Sequence, residues 1–485
     1  MLSVEEIKRF IDEDMASSRK RQAKEGLRYY EANHDIKDYK IYYVNDDGEL
    51  VEDDSRSNIK ISHPFFTELV DQCSQYMLSG KDRYVVTDDQ TLQLELDKYF
   101  DDEFKMELND LITYTKIEGD SYLYRYIDED FKTRFKFADG LSVTEAPSIY
   151  TSDGKDYVIY KHLLRVEKNT KVYGVQVWSD TDVTYYTMKD DIIKLDKTYK
   201  INPKPHVVYT ENNETLYDTF GDVPFLRLDN NRNRLSDLHV IKDLIDDYDL
   251  MSCGLSNNLQ DVAEGIYVVK GWNGNTLDEL TQNVRVKKQI AVGEGGDLDI
   301  KTIQVPYQAR QAKMAINETN IYKFGMGVNT SLVGDGNVTN VVIKSRYLLL
   351  DMKCNKMELQ LKRLMKKVIK IVVDEINKNN ETNYNYKDVW CEFKREVMTN
   401  ALDNAQIEQT EANTKSVQVN TLLNLQTLIG DENALKKICE VLDIDYEELK
   451  PIEDYEDDLL KAEKALDAIN PDDEIEEIEQ GNNNE

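Results

Sequence analysis

The sequence is short of the residues that most often build catalytic and redox sites. Its five cysteines, Cys73, Cys253, Cys354, Cys391 and Cys439, are odd in number, far apart and without a CxxC pair. That argues against a disulfide framework or a zinc site and fits a reducing compartment. The histidines, His34, His63, His162, His206 and His239, show no HExxH or HxxxH spacing. There is no GxxxxGK[ST] phosphate loop and no GxSxG elbow, and Gly325-Met-Gly327 lacks both the third glycine and the leading strand of a dinucleotide fingerprint. No apolar run reaches the roughly 18 residues of a membrane span. Met1 to Ser18 is acidic and amphipathic, unlike a secretory signal.

What is present is acid. The 485 residues are 40% apolar and 32% charged, with a formal net charge of −32. A broad DNA-gripping surface is normally basic, because affinity comes from neutralising phosphates. Three classes remain: an acidic enzyme, an acidic scaffold, or a surface that DNA must pass without sticking. The length allows several packed units.

Periodicity divides the chain. Residues 1 to about 30 read as one helix with Val4, Ile7, Ile11 and Met15 on a face; a second starts near Pro64 and a third spans about Gln90 to Glu118. Ser121–Ile127, Phe131–Phe137, Tyr157–Val166, Lys171–Trp178 and Asp182–Met188 are β-branched and aromatic runs, several of them separated by turn signals, the pattern of an antiparallel meander. A long helix is expected from Ser236, about 28 residues and roughly 42 Å. Its seam is Leu238, Ile241, Ile245, Tyr248, Leu255, Leu259 and Val262, with Ser252 in a slot that should be apolar. So narrow a stripe suits helices packed side by side; burial in its own domain explains it equally well. Strand-like residues 265–305 follow, with Gly293-Glu-Gly-Gly296 as a turn, then a helix from Pro306 to about Phe324. This is a helical hairpin carrying a small β module.

Gly325 to Asn340 reads as a loop. The next helix, about Val341 to Lys378, carries Lys344, Arg346, Lys353, Lys356, Lys362, Arg363, Lys366, Lys367 and Lys370 against Asp351 and Glu358 over its first 30 residues. Such a basic helix is either a solvated face, a partner for a neighbour's acidic surface, or an approach to DNA phosphates. A strand at Asp388–Phe393 and helices from about 401 to 468 follow. From Pro471 the chain is acidic, asparagine-rich and expected to be disordered. The carboxylates Asp243, Asp246, Asp247 and Asp249 could suggest a metal cluster, but fit a solvated helix face better.

Four stretches resemble the portal proteins of long-tailed (siphovirus-type) phages of Gram-positive hosts. They are Asn58-Ile-Lys-Ile-Ser-His-Pro64 leading to Tyr76-Met-Leu-Ser-Gly80; Gly221-Asp-Val-Pro224 through Asn231 to Ser236-Asp-Leu238 and Ile245-Asp246; Thr330 to Lys344; and Leu349-Leu-Asp-Met-Lys353. With the element order, the likeness covers about residues 55 to 400. Asp335 departs from it, where small apolar residues are usual.

The resemblance implies an α+β, mainly helical portal fold with wing, stem, clip and crown, an antiparallel meander in the wing and a small β clip. Residues 1–231 would be wing, 232–264 the first stem helix, 265–305 the clip with Gly293, Gly295 and Gly296, and 306–324 the second stem helix. Residues 325–340 would be the tunnel loop, with Asn337, Val338, Thr339 and Asn340 facing DNA. Residues 341–400 would form the basic helix and a return strand of the wing, 401–470 the crown and 471–485 the tail. Lys344, Arg346 and Lys353 become candidate phosphate or inter-subunit contacts, and the seam becomes subunit packing.

It further implies no catalytic residue, no metal and no cofactor. The expected partners are a homo-oligomeric ring of about twelve copies, a terminase packaging motor, head-completion (connector) proteins, major capsid and scaffold proteins, and double-stranded DNA passing without sequence specificity, with no membrane. The place implied is a capsid vertex of the virion, and the host cytoplasm during assembly, with a role in starting head assembly. A metal-dependent nucleic-acid enzyme and an acidic intracellular scaffold are the competing functions.

Overall fold

The computed structural model describes residues 1–54, 56–80, 83–211, 214–262, 266–272, 276, 292–301, 307–330, 340–396, 401–442 and 444. The chain divides into two compact units, one made of residues 1–336 and 341–398 and the other of 337–340 and 399–485.

The first unit opens with two helices where one was expected, α1 (Val4–Ala16) and α2 (Ser18–Tyr30). Ser17 makes the break. Its backbone is extended and its hydroxyl accepts from Lys20 N at 3.2 Å, which caps α2. The face of α1 is also shifted: Ile7, Phe10 and Ile11 are buried, whereas Val4 is exposed. After a small hairpin of β1 (Tyr42–Val44) and β2 (Leu50–Glu52) comes α3 (Phe65–Met77), then β3 (Val85–Thr87). The expected third helix is again two, α4 (Gln90–Leu96) and α5 (Asp102–Glu118), because Asp101 caps α5 by accepting from Phe104 N at 2.9 Å. Gly119, in the left-handed region at φ +98°, ends it.

The meander is present. Strands β4 (Asp120–Ile127) and β5 (Thr133–Asp139) form a three-stranded antiparallel sheet with β14 (Phe225–Asp229). Strands β6 (Val143–Ala146), β7 (Tyr157–Glu167), β8 (Thr170–Trp178), β9 (Asp182–Lys189) and β10 (Ile192–Leu195) pair in sequence order, and β11 (Lys204–Pro205) adds to β9. A hairpin of β12 (Val207–Glu211) and β13 (Glu214–Asp218) precedes β14. Leu2, just before α1, and Ile7, Phe10 and Ile11 of α1 pack against Ile159, Val175, Val177 and Met188 of the larger sheet. The buried Lys20 joins α2 to the chain between β5 and β6, donating to the carbonyls of Gly140, Leu141 and Val143.

Then come α6 (Lys242–Val262), β15 (Ile266–Trp272), β16 (Val292–Lys301), α7 (Tyr307–Gly325), α8 (Asn340–Asn380) and β17 (Val389–Cys391), which pairs with β3. The basic helix α8 is a core helix. Leu350, Met357, Leu361, Leu364, Val368, Val372 and Ile376 are buried against α3, α4 and α5 residues such as Met77, Leu96 and Leu111. Its exposed charges, Lys356, Arg363, Lys366, Lys367 and Lys370, form the opposite face.

In the second unit, α9 (Ala401–Ile429) and α10 (Asp431–Leu442) are joined at Gly430, which adopts φ +84°. Ala434 and Cys439 are buried, while Val417, Leu425 and Leu428 are exposed. The expected helical residues beyond 444 and the expected tail lie outside the described residues.

Candidate functional site

The long helix does not begin at Ser236. Ser236 caps a 3-10 turn, Asp237–Val240, by accepting from Leu238 N at 3.1 Å, and α6 proper starts at Lys242. The expected seam therefore splits. Leu238, Ile241 and Ile245 are buried inside this chain, against Tyr29, Phe66, Leu69, Val70, Ile117 and Ile321. They belong to the core of their own unit, and the side-by-side assignment for these three is corrected. Tyr248 is partly buried on the same cluster, with its ring edge-on to Phe65 at 4.9 Å. Leu255 is half-buried, and Leu259 is 59% exposed.

A second set of contacts runs along α6, and these are polar. The extended segment Ser57–His63 lies on the helix with alternate backbone N–H groups bonded to side chains four residues apart. Asp249 accepts from His63 N at 3.0 Å, Cys253 Sγ from Ile61 N at 3.2 Å, Asn257 from Ile59 N at 2.6 Å and Asp261 from Ser57 N at 3.2 Å. The match is metric: four helical residues rise about 6.0 Å, and two extended residues about 6.6 Å. Ser252, the polar residue in the stripe, lies with its hydroxyl 3.4 Å from His63 Nε2.

Of the four carboxylates, Asp243 is exposed, as a solvated face requires, whereas Asp246, Asp247 and Asp249 are anchors. Asp246 accepts from the Tyr29 hydroxyl and pairs with Lys242 at 2.6 Å. Asp247 holds α7 through Lys313 at 2.8 Å and Asn317 at 2.7 Å. Asp249 is fully buried and accepts from His34 Nδ1 at 2.6 Å and His63 Nδ1 at 2.7 Å. Burial works to raise its carboxyl, but the two imidazoles outweigh it and hold the group below the ordinary carboxylate value. Among the described residues no cluster of three or more His, Cys, Asp or Glu side chains is placed to hold a metal.

Between α6 and α7, β15 and β16 form an antiparallel pair. The glycines Gly293, Gly295 and Gly296 were expected in a turn and lie instead within β16. The pairing Lys270 with Asp297 is followed by Trp272 with Val292, so Gly271 alone faces Gly293 to Gly296. Gly295 takes φ +84° there, and residues without Cβ absorb the irregularity. The expected strand segments at 284–291 lie outside the described residues.

The start of the expected tunnel loop is gripped from two sides. Gln72 of α3 accepts from Val328 N and donates to Val328 O, both at 2.9 Å. Gly327 N donates to Tyr322 O at 2.9 Å. A Cβ on Gly327 would come within 2.1 Å of Leu69 Cδ2, so any larger residue would force that buried leucine to shift. From α8, Lys353 donates to Gly325 O at 3.1 Å. Of the expected DNA-facing residues, Asn337, Val338 and Thr339 lie outside the described residues, and Asn340 is the buried first residue of α8.

The three candidate phosphate contacts separate. Lys344 is exposed and Arg346 half-buried. Lys353 is only 7% exposed, and its ammonium pairs with Asp237 at 3.0 Å within the same chain. It is a structural ion, not one free to meet DNA. Lys116 approaches Asp237 at 3.6 Å, and Asn230 donates to it at 2.7 Å. Burial opposes the charge on Asp237, but the two ammonium groups outweigh it and hold the carboxyl well below its usual range. This Lys116–Asp237–Lys353 cluster and the Gln72 clamp were missed. Their members lie far apart in sequence and have no local signature.

The helix–β hairpin–helix order, leading into a clamped loop and a long core helix, coincides with a family match. The model for "Phage portal protein, SPP1 Gp6-like" matches residues 10–457. The chain belongs to this portal family. The portal protein of Bacillus phage SPP1 is 27% identical over 341 residues, which is 69% of this chain and 66%, just under two thirds, of that protein. The portal protein of Clostridium phage phiCD119 is 25% identical over 432 residues, 86% of this chain and 90% of that protein. Among solved structures, a chain from the virion of a native gene transfer agent particle aligns at 12% identity and TM-score 0.33, over 59% of this chain and 70% of that one. One from the neck of the empty particle, computed with C6 symmetry, aligns at 12% and 0.35, over 62% and 76%. At those scores the structural likenesses carry no argument of their own. The portal assignment rests on the sequence family.

Proposed function

We propose that this chain is the repeating subunit of a ring at one capsid vertex, through which double-stranded DNA enters and leaves the head. The observation that carries the reading is the α6–β15–β16–α7 hairpin followed directly by a clamped loop root, in a chain of the portal family. In this reading α6 and α7 are the stem, β15 and β16 belong to the clip, the chain between Gly325 at the end of α7 and Asn340 at the start of α8 is the tunnel loop, and the α1–α5 region with its sheets, α8 and β17 is the wing. Residues 401–470 are the crown. The exposed Leu259, on the outer half of α6, supports packing against a neighbouring copy. The formal charge of −32 supports a wall along which DNA slides.

The subunit does no chemistry on DNA. A terminase motor supplies the packaging work, docking at the clip, and connector proteins take its place later. Capsid and scaffold proteins meet the outer surface during head assembly. Lys344 and Arg346 are the remaining candidates for weak phosphate contact near the loop.

Light scattering and negative-stain microscopy on the purified chain test the reading. Twelve copies of the 56.4 kDa chain weigh about 680 kDa, and rings with a central hole are expected. A species that stays at the mass of one chain at every concentration, or that turns over ATP or cuts DNA with contaminants excluded, overturns it.

A further inference from the structure

A pair of buried thiols sits between the two helices that grip the loop root. Cys73 of α3 follows Gln72, whose amide clamps Val328; Cys354 of α8 follows Lys353, whose ammonium holds Gly325 O. The two Sγ atoms are 3.6 Å apart, and both side chains are fully buried. A disulfide needs about 2.05 Å between sulfurs, so an approach of about 1.5 Å turns this contact into a bond.

The surroundings favour reaction at one of the two. Lys116, Lys353 and Asp237 place two ammonium groups and one carboxylate beside the thiols. With both thiols protonated, that buried group carries an uncompensated positive charge; ionising Cys73 balances it. The hydrogen bond from Cys354 pulls the Cys73 thiol below its ordinary value, and Lys116 and Lys353 add to this against the effect of burial. Cys354 is pushed the opposite way by the same hydrogen bond. One sulfur is thus a nucleophile and its neighbour a thiol that still holds its proton.

We propose that Cys73 and Cys354 are a redox couple that closes into a disulfide and staples α3 to α8 at the root of the loop. A peroxide is the oxidant. The Cys73 thiolate attacks one peroxide oxygen and the O–O bond breaks; the departing hydroxide takes up the proton that Cys73 had released and becomes water. Cys73 is left as a sulfenic acid. Cys354 then attacks the Cys73 sulfur, the S–O bond breaks, and the hydroxyl leaves as water with the Cys354 proton. The two thiols lose two electrons, and hydrogen peroxide is reduced to two waters. Hydrogen peroxide is close to water in size and reaches the pair during local opening; a bulky disulfide reagent does not. The bond fixes the spacing of the Gln72 and Lys353 grips, and so of Val328 and Gly325 between them. The chemistry belongs to the chain alone. Its use, closing the pair after a particle leaves the reducing cell, rests on the portal reading.

The full chain, purified under reduction, is treated with hydrogen peroxide, alkylated, digested and analysed by mass spectrometry. The expected product is one linked pair of peptides carrying Cys73 and Cys354, lighter by two hydrogens and separated by dithiothreitol. A melting midpoint raised by several degrees should accompany it. Cys253, Cys391 and Cys439 are internal controls. In Cys354→Ala the sulfenic acid on Cys73 should persist and be captured by dimedone. Sulfinic acid on Cys73 with Cys354 still reduced in the wild type, a different cysteine pair, or two unchanged thiols after the controls have reacted overturns the proposal. The wild-type result decides the matter even if the variant does not fold. Light scattering on the same sample reports ring formation separately: a disulfide without rings defeats the portal reading alone, and rings without a disulfide defeat the couple alone.

Discussion

The two halves of α6 are held by different physics. The inner half, with the turn before it, is a hydrophobic wedge: Leu238, Ile241 and Ile245 sit in the apolar core with Phe66 and Ile321. The outer half carries a polar zipper, in which Cys253, Asn257 and Asp261 each take one backbone N–H of the extended segment 57–63. A wedge is cooperative with the whole fold, because its loss exposes everything packed on it. A zipper is a series of individually modest bonds, about 1 kcal/mol each. One helix is thus held by core burial where it joins the body and by separate polar bonds further out, the part proposed to meet its neighbours in a ring.

The largest effects should distinguish the halves outright. Ile245→Asp puts an unpaired charge at a fully buried position, at a cost of about 4 kcal/mol or more. The chain should aggregate or melt far below the wild type. Leu259→Asp, at a position 59% exposed, should change the stability of a single chain by less than about 0.5 kcal/mol while preventing ring closure. Normal rings from Leu259→Asp would remove the outer half from the subunit contact.

Next in size is the buried cluster at the loop root. Lys353→Met leaves Asp237 with Lys116 as its nearest cation and should cost about 2–3 kcal/mol in denaturant unfolding. The double change Lys344→Gln with Arg346→Gln, at one exposed and one half-buried position, should cost less than Lys353→Met and reduce DNA retention instead. If the double variant unfolds as readily as Lys353→Met, the distinction between structural and free cations is wrong.

Asp249 stands where wedge and zipper meet. Asp249→Asn should cost about 2 kcal/mol at neutral pH, since it loses charge-assisted bonds from two imidazoles. Its carboxyl is held below the unfolded value, so its contribution is full above about pH 4, the unfolded carboxylate pKa, and is lost as pH falls through the lower folded value. The melting gap between wild type and variant should therefore be wide at pH 7 and narrow in strong acid. The smallest effect belongs to the zipper alone: Asn257→Ala should cost about 1 kcal/mol and show mainly as faster amide exchange at Ile59.

The meander was legible because alternation of β-branched and aromatic residues is a local signal. Tyr157–Val166, Lys171–Trp178 and Asp182–Met188 match β7, β8 and β9 to within a residue or two at each end. The breaks at Ser17 and Asp101 were readable in principle, since both are capping residues, but the apolar period runs on either side and masks them. The glycine run at 293–296 signalled irregular backbone correctly, though as a bulge within a strand and not as a turn.

By itself the sequence determined the helical hairpin, the meander, the amphipathic core helix and the family, all carried by neighbouring residues or by order along the chain. Only the tertiary structure decided where each shielded face points. A stripe of leucine and isoleucine records that a surface leaves water, and burial in one's own core or against another copy removes the same area. Charge is subject to the same limit. Lys344 and Lys353 read alike in the sequence, yet one is exposed and the other pairs with Asp237 across the fold. The Cys73–Cys354 contact joins residues that only the packing of α3 against α8 brings together.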